Sequence, residues 1–402
     1  MTVIRQDDFI DSVADALQFI SYYHPVDFVQ AVHQAYEREL NPAAKDAMAQ
    51  ILINSRMCAE GHRPICQDTG IVTVFLKIGM DVQWDATLSV ADMVNEGVRR
   101  AYTHPDNVLR ASILEDPAGA RRNTRDNTPA VIHMEVVAGD TVDVQVAAKR
   151  GGPENNSKMA MLNPSDSIVD WVLKTVPTMG AGWCPPGMLG IGIGGTAEKA
   201  AVMAKESLME PIDIHELRER GPSNRAEELR LEIMDAVNKL GIGAQGLGGL
   251  TTVMDVKIMD YPTHAASLPV AMIPNCAATR HAHFVLDGSG PALQTPPDLN
   301  DWPDITWEVG EQVRRVNLDT VTPEEAAEWQ PGDTILLSGK MLTGRDAAHK
   351  KMKELIDSGE GLPAEVDLKG RFIYYVGPVD PVRDEVVGPA GPTTSTRMDK
   401  FT

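Results

Sequence analysis

The sequence predicts a mixed α/β protein in two domains, the larger one first. Three observations carry this. A chain of 402 residues exceeds what a single hydrophobic core organises. Segments with helical apolar spacing alternate with short β-branched runs. The stretch GSGPALQTPPDLNDWPD, residues 288–304, is rich in Pro and Gly and poor in apolar residues, which is the composition of a linker. The expected boundaries are therefore 1–287 for the first domain, 288–304 for the linker and 305–402 for the second domain.

Taken in order, residues 7–23 have helical apolar spacing, and NPAAKDAMAQILINSRM opens a helix with Asn41 as cap and Pro42 in the first turn. Gly61 to Pro64 ends it and puts Cys66 in a loop. IVTVFLKIG reads as a strand and SVADMVNEGVRRAY as a helix. PAVIHMEVVAGDTVDVQVAAK reads as a hairpin turning at Gly139 and Asp140. SDSIVDWVLKTV and RAEELRLEIMDAVNKL have helical periodicity, the latter stopped by Gly241, whereas TTVMDVKIMDY and LPVAMIP read as strands. In the second domain Thr322 and Glu325 form a capping box in TPEEAAEW. TILLSGKMLTGRDAAHKKMKELI gives strand, loop and helix, RFIYYVGPV another strand, and the chain closes on a loop feeding a helix from Thr393. With at most about three turns left before Thr402, that helix has nothing after it to cover its apolar face, so truncation is expected.

Hydrophobic residues make up 43% and charged residues 23%, as in soluble globular proteins. The 57 acidic and 37 basic side chains give a formal net charge of −20. That balance disfavours nucleic acid and anionic membrane surfaces, and an anionic substrate needs a locally positive pocket. Arg110, Arg345 and Arg397 are isolated loop arginines suited to it. The N-terminus has acidic residues where an export signal carries a basic segment, and no apolar stretch of about 18 residues exists. A cytoplasmic location with reduced thiols follows, and four cysteines in so long a chain make no disulfide framework.

Three of those cysteines sit in Gly- or Pro-punctuated turns: Cys66 in PICQDTG, Cys184 in GWCPPGM and Cys276 in PNCAATRH. Each turn carries polar groups beside the sulfur, with Gln67 and Asp68 in the first and Arg280 and His281 after the third. Three thiolates satisfy three irons of a cubane iron–sulfur cluster and leave the fourth open as a Lewis acid. Cysteine number alone is equally compatible with ordinary buried thiols; the turn contexts favour ligation. Zinc is disfavoured because paired cysteine spacing is missing, and Cys58, at a helix end, reads as packing. The glycines of GMLGIGIGGTAEKAAVMAKE are not read as a GxGxxG fingerprint within a βαβ unit, and no P-loop lysine is present, so close backbone packing explains them better than a nucleotide. AAKRGGPENNSK reads as a second Gly-rich loop with Lys149, Arg150 and Lys158 at hand, or as a solvated hairpin end. GRDAAH and GPTTSTRMD place Arg345 and Arg397 at helix N-termini, an arrangement suited to a carboxylate. Taken singly, each of these arginines reads first as a surface charge. His264, a short way upstream of Cys276, reads as a structural histidine or as a residue lining the site.

Taken in this order, CQDTG, GAGWCPPGMLGIGIGGT, YPTHAASLPVAMIPNCAATRH, GKMLTGRDAAH and GPTTSTRMD resemble the iron–sulfur dependent class I fumarate hydratases, from about the first helix to the last residue. The resemblance implies reversible hydration of fumarate to (S)-malate, with a [4Fe–4S] cluster held by Cys66, Cys184 and Cys276. It implies a larger cluster-binding domain, a smaller swivelling-type domain, and a homodimer. It further implies that a dicarboxylate is contacted by Gln67, Asp68, Arg110, Gly152, His264, Arg345 and Arg397, and that Thr393 is the base. A threonine needs nearby cations such as Arg345 and Arg397 to acquire alkoxide character. Two departures stand out. Family members continue beyond the equivalent of Thr402 and there supply a substrate-binding lysine, and where they carry three glycines and a Ser this chain has Arg150, Gly151, Gly152 and Pro153. The competing readings are a related hydro-lyase such as a tartrate dehydratase, whose two parts are often separate subunits, and a catalytically incomplete iron–sulfur protein.

Overall fold

A computed structural model describes residues 2–306, 313–330, 333–364, 366–379, 381, 386–391 and 398. The chain divides into two compact units, Met1–Thr306 and Trp307–Thr402. Both are mixed α/β.

The first unit rests on two four-stranded sheets. The strands of these two sheets are β1 (Ile71–Gly79), β2 (Val131–Val137), β3 (Val142–Lys149), β4 (Lys158–Leu162), β5 (Gly187–Gly194), β6 (Val253–Tyr261), β7 (Leu268–Asn275) and β8 (His281–Leu286). One sheet has the order β8-β3-β1-β2 and the other β6-β5-β7-β4. The main helices are α1 (Gln6–Tyr22), α2 (Val26–Arg38), α3 (Pro42–Gly61), α4 (Val90–Tyr102), α5 (Ile168–Met179), α6 (Ala197–Glu206) and α7 (Arg225–Asn238). Side-chain caps start several of them where the sequence provides Asn or Ser. Asn41 Oδ1 accepts from the Ala43 amide at 3.0 Å, Ser89 Oγ from Asp92 at 3.1 Å, and Asn224 Oδ1 from Glu227 at 3.0 Å.

Helical periodicity decides what each helix buries. Phe9, Ile10, Val13 and Leu17 of α1 and Met93, Val94 and Val98 of α4 pack on Val72, Val74, Val144 and Val146 of the first sheet. Val172 and Val176 of α5 and Ile233 and Val237 of α7 pack on Leu189, Ile191, Val256 and Val270 of the second. Between the sheets, Ala200 and Ala204 of α6 share a core with Phe75 and Ala147 of one sheet and Met188 and Ala271 of the other. The glycine run of β5 makes this possible. A Cβ on Gly190 would lie 2.0 Å from the Ala204 carbonyl oxygen, and one on Gly192 would lie 1.9 Å from that of Ala200. These glycines let helix and strand touch, as their spacing suggested.

One sequence expectation is corrected. Residues 131–137 and 142–149 do not form a hairpin, because β1 lies between them, parallel to β2 and antiparallel to β3. β1 is buried almost along its whole length, so it takes the central place and makes both neighbours its partners. The turn at Gly139 then wraps the end of β1, accepting at its carbonyl from the Asp81 amide at 2.9 Å.

Residues 288–306 run along the first unit. The Ala292 amide donates to Ser12 Oγ at 2.8 Å, and buried Trp302 donates from Nε1 to Ser55 Oγ at 2.8 Å. In the second unit, strand Arg314–Asn317 pairs parallel with Ile335–Ser338, and Leu342–Thr343 with Ile373–Tyr374. Thr322 Oγ1 accepts from the Glu325 amide at 3.2 Å and caps the helix Pro323–Ala327. Helix Asp346–Asp357 follows. Among the described residues no helix is long and apolar enough to cross a membrane.

Candidate active site

The two sheets bring five strand ends to one place. Ile71 at the start of β1 pairs with Lys149 at the end of β3, His281 at the start of β8 pairs with Ala147, and Met188 near the start of β5 pairs with Asn275 at the end of β7. The turns attached to those ends carry Cys66, Cys184, Cys276 and the RGGPEN segment. Cys66, Cys184 and Cys276 are buried in one cluster with Cys58, Ile65 and Ala278. Sequence separation is overcome by turn-to-turn hydrogen bonds. The Ala277 amide donates to the Cys184 carbonyl at 3.0 Å, and the Ala148 amide to that of Arg280 at 3.1 Å. Cys184 itself has a left-handed backbone, φ 59°, a conformation that a non-glycine residue holds only when its surroundings fix it.

Each sulfur has identifiable neighbours. The Cys66 thiol donates to Gln67 Oε1 at 3.0 Å and accepts from the Asp68 amide at 3.4 Å; Cys276 Sγ accepts from the Ala278 amide at 3.4 Å. Two of the three sulfurs thus receive an amide from two residues on, which favours the thiolate. Cys58 behaves differently: fully buried near the end of α3, it donates to Asn54 Oδ1 and the Pro64 carbonyl, each at 3.7 Å.

Burial pushes the Cys66 thiol up against the opposing pull of Arg150 and Arg280, and burial pushes Cys184 up to about 12. Such thiols stay protonated until a metal displaces the proton. Two buried arginines stand beside them. Arg150, 7% exposed, donates from Nη1 to Cys276 Sγ at 3.6 Å; burial disfavours its charge, but the three sulfurs, once ionised, and Asp68 push its pKa up. Arg150 Nε and Arg280 Nε and Nη2 are buried with no hydrogen-bond partner. Buried cationic donors without acceptors are costly, and an anionic centre held by the thiolates supplies what they lack. Among the described residues no three His, Cys, Asp or Glu side chains converge on a single-ion site. A multinuclear centre, in which each sulfur meets a different metal atom, needs no such convergence, so three thiols and two guanidiniums fit an anionic iron–sulfur cluster.

The remaining candidates separate into three groups. Gln67 is buried beside Cys66, and half-buried Asp68 accepts from the Gly70 amide at 3.0 Å and the Gly151 amide at 2.9 Å, fastening the first cysteine turn to the RGGPEN segment. Gly152 lies against the second cysteine turn, where a Cβ would sit 3.0 Å from the Gly182 carbonyl oxygen. Arg110 is exposed, but its carbonyl accepts from Thr69 Oγ1 in the first cysteine turn. His264 is elsewhere. It is exposed before the start of β7, whereas Cys276 follows the end of that strand, so about 26 Å of extended chain separates them at ~3.3 Å per residue. His264 does not reach the cysteines of its own chain. In the second unit Arg345, half-buried, precedes helix Asp346–Asp357; Thr393 and Arg397 lie outside the described residues.

The sequence reading missed the RGGPEN segment's character. It is no solvated hairpin end but a short helix, Gly151–Asn155, preceded by buried Lys149 and Arg150. Lys149 Nζ donates to the Pro274 carbonyl at 2.8 Å, and burial pulls its pKa down to about 8. The signal was the apolar approach VQVAA, which leads a buried strand directly into KR.

These features define the class: an α/β protein with a buried thiol cluster, flanked by cations, at the shared end of two sheets. Comparison makes it particular. The family model "Fumarate hydratase (Fumerase)" matches residues 10–285, and "Fumarase C-terminus" matches residues 288–402. The chain is 30% identical to the anaerobic class I fumarate hydratase of Escherichia coli over 91% of its own length and 68% of that protein. It is 31% identical to the aerobic one, over 88% of this chain and 66% of that protein. It is 34% identical to a putative L(+)-tartrate dehydratase subunit alpha of Methanocaldococcus jannaschii, over 68% of this chain and 95% of that subunit. The chain belongs to the class I fumarate hydratase family, whose members with tartrate dehydratases form one group of hydro-lyases.

Proposed function

We propose that this chain is a fumarate hydratase interconverting fumarate and (S)-malate. The observation that carries the reading is the gathering of Cys66, Cys184 and Cys276 with buried, under-bonded Arg150 and Arg280 in a chain matched along both family segments. The three cysteines would hold a [4Fe–4S] cluster. When bound, it supplies a Lewis-acid iron that no protein thiolate caps.

The chain's own residues do the rest. Gln67 and Asp68 stand beside the first sulfur, and the RGG turn is anchored through Asp68, so substrate groups meet a fixed polar wall. Arg110, Gly152, Arg345 and Arg397 complete the substrate set, the arginines binding carboxylates with their planar forks. Thr393 takes the proton from the carbon beside a carboxylate, while hydroxide departs from the neighbouring carbon and leaves as water on protonation. Charge that develops on that carboxylate is held by the same arginines. His264 is not assigned to the site of its own chain. We place the cluster in the domain 1–287, take 288–304 as its connection to a smaller, swivelling domain 305–402, and infer a cytoplasmic homodimer.

A second reading, tartrate dehydratase, is favoured by the match to nearly a whole tartrate dehydratase subunit alpha. Anaerobic reconstitution followed by kcat/KM for (S)-malate and L(+)-tartrate decides between them. Fumarate formation at the higher kcat/KM supports the proposal; preference for tartrate replaces it; a loaded cluster without turnover on either substrate rejects both.

A further inference from the structure

We infer that Arg150 is the positioning residue that sets the reduction potential of the cysteine-held centre, through its guanidinium contact with Cys276 Sγ. The inference rests on the cluster reading above and goes beyond it, because it assigns a task to a residue that holds no metal. Arg150 is 7% exposed and follows a buried strand that ends at Lys149. Its Nη1 lies 3.6 Å from Cys276 Sγ while its Nε has no protein acceptor. Nothing in its own backbone explains so costly a placement: φ −70° and ψ 149° suit any residue. Its neighbour Lys149 is already engaged by the Pro274 carbonyl at 2.8 Å and Asn275 Oδ1 at 3.3 Å. The guanidinium thus faces sulfur with donors to spare.

A cation donating to a ligating sulfur stabilises most the state in which the centre carries more negative charge. For a one-electron couple that is the reduced state, so the contact raises the potential. A unit charge about 4 Å away interacts by several kcal/mol even at an effective dielectric near 20, so a change of at least about tenfold in the reduction equilibrium is expected on its removal, equal to about 59 mV for one electron.

The test is a dithionite titration of the reconstituted full chain, followed by electron paramagnetic resonance, for wild type, Arg150→Gln, Arg150→Lys and Arg150→Gly. Iron and acid-labile sulfide are measured first. Gln and Gly are expected to shift the midpoint to more negative values by at least that amount, and Lys, which keeps the charge, by less than half as much. The Gly variant suits the Arg150 backbone and serves if the Gln variant does not fold. A loaded centre whose midpoint is unchanged in Gln or Gly overturns the inference alone. So does an equal shift in Lys and Gln, which would mark a packing effect, or an unchanged midpoint with a raised KM, which would place the guanidinium on substrate. Wild type that takes up neither iron nor sulfide overturns the cluster reading and this inference with it.

Discussion

Asp68→Asn is the perturbation whose size follows most directly from the structure. The Asp68 carboxylate accepts the Gly70 amide on one oxygen at 3.0 Å and the Gly151 amide on the other at 2.9 Å. The first bond shapes the turn after Cys66; the second ties that turn to the RGGPEN segment, 83 residues away in sequence. Hydrogen bonds to a charged acceptor contribute about 1.5–3 kcal/mol each. Asparagine keeps one oxygen, so one bond survives in weaker, neutral form, while the new amide group places a donor against a donor. The expected loss is about 2–4 kcal/mol, largely in the joint between the two segments. Urea unfolding of wild type and variant at neutral pH measures it, and hydrogen exchange at Gly151 locates it. A loss below about 0.5 kcal/mol, or unchanged protection of the Gly151 amide, would refute the architectural role.

Other consequences follow from particular contacts. Gly192→Ala puts a methyl group 1.9 Å from the Ala200 carbonyl oxygen, so α6 must retreat; about 1–3 kcal/mol of stability is lost, and a melting temperature equal to wild type would contradict this. Thr322→Ala removes the acceptor for the Glu325 amide and costs the second unit about 1 kcal/mol, read from the unfolding of that unit. His24 is buried against Ser55 Oγ at 2.7 Å, and burial, reinforced by Arg280, lowers its pKa to about 3. Because the unfolded chain takes up this proton near pH 6.5 and the folded chain only near 3, the contribution is complete above 6.5 and is lost as pH falls between the two. His24→Gln should therefore flatten the acid slope by about 1.4 kcal/mol per pH unit in that window, and parallel pH curves would count against it.

What could be read from sequence was local. The three cysteine turns, the Asn41 and Thr322 caps and the packing glycines of β5 each announce themselves within a few residues; the structure shows the caps and the glycines in those tasks and gathers the three cysteines in one buried cluster. What could not be read was relational. The hairpin at Gly139 failed because β1, contributed by residues 71–79, takes the place between its arms, and strand order is a property of the whole sheet. Arg150 was hidden because a cation after a strand reads as surface until the partner strands are known to bury it. His264 seemed near Cys276 because they are close in sequence, yet the intervening strand is extended, and extension carries residues apart.

The proposed fumarate hydratase stands on Cys66, Cys184 and Cys276, and not Cys58, as the residues that would hold one iron–sulfur centre. The most direct measurement is iron and acid-labile sulfide per chain after anaerobic reconstitution, for wild type and for the four single Cys→Ala variants. About four irons and four sulfides per chain are expected in wild type and Cys58→Ala, and a severe loss in each of the other three. Full loading without Cys66, Cys184 or Cys276, or a Cys58→Ala variant that folds but takes up no iron, would contradict it.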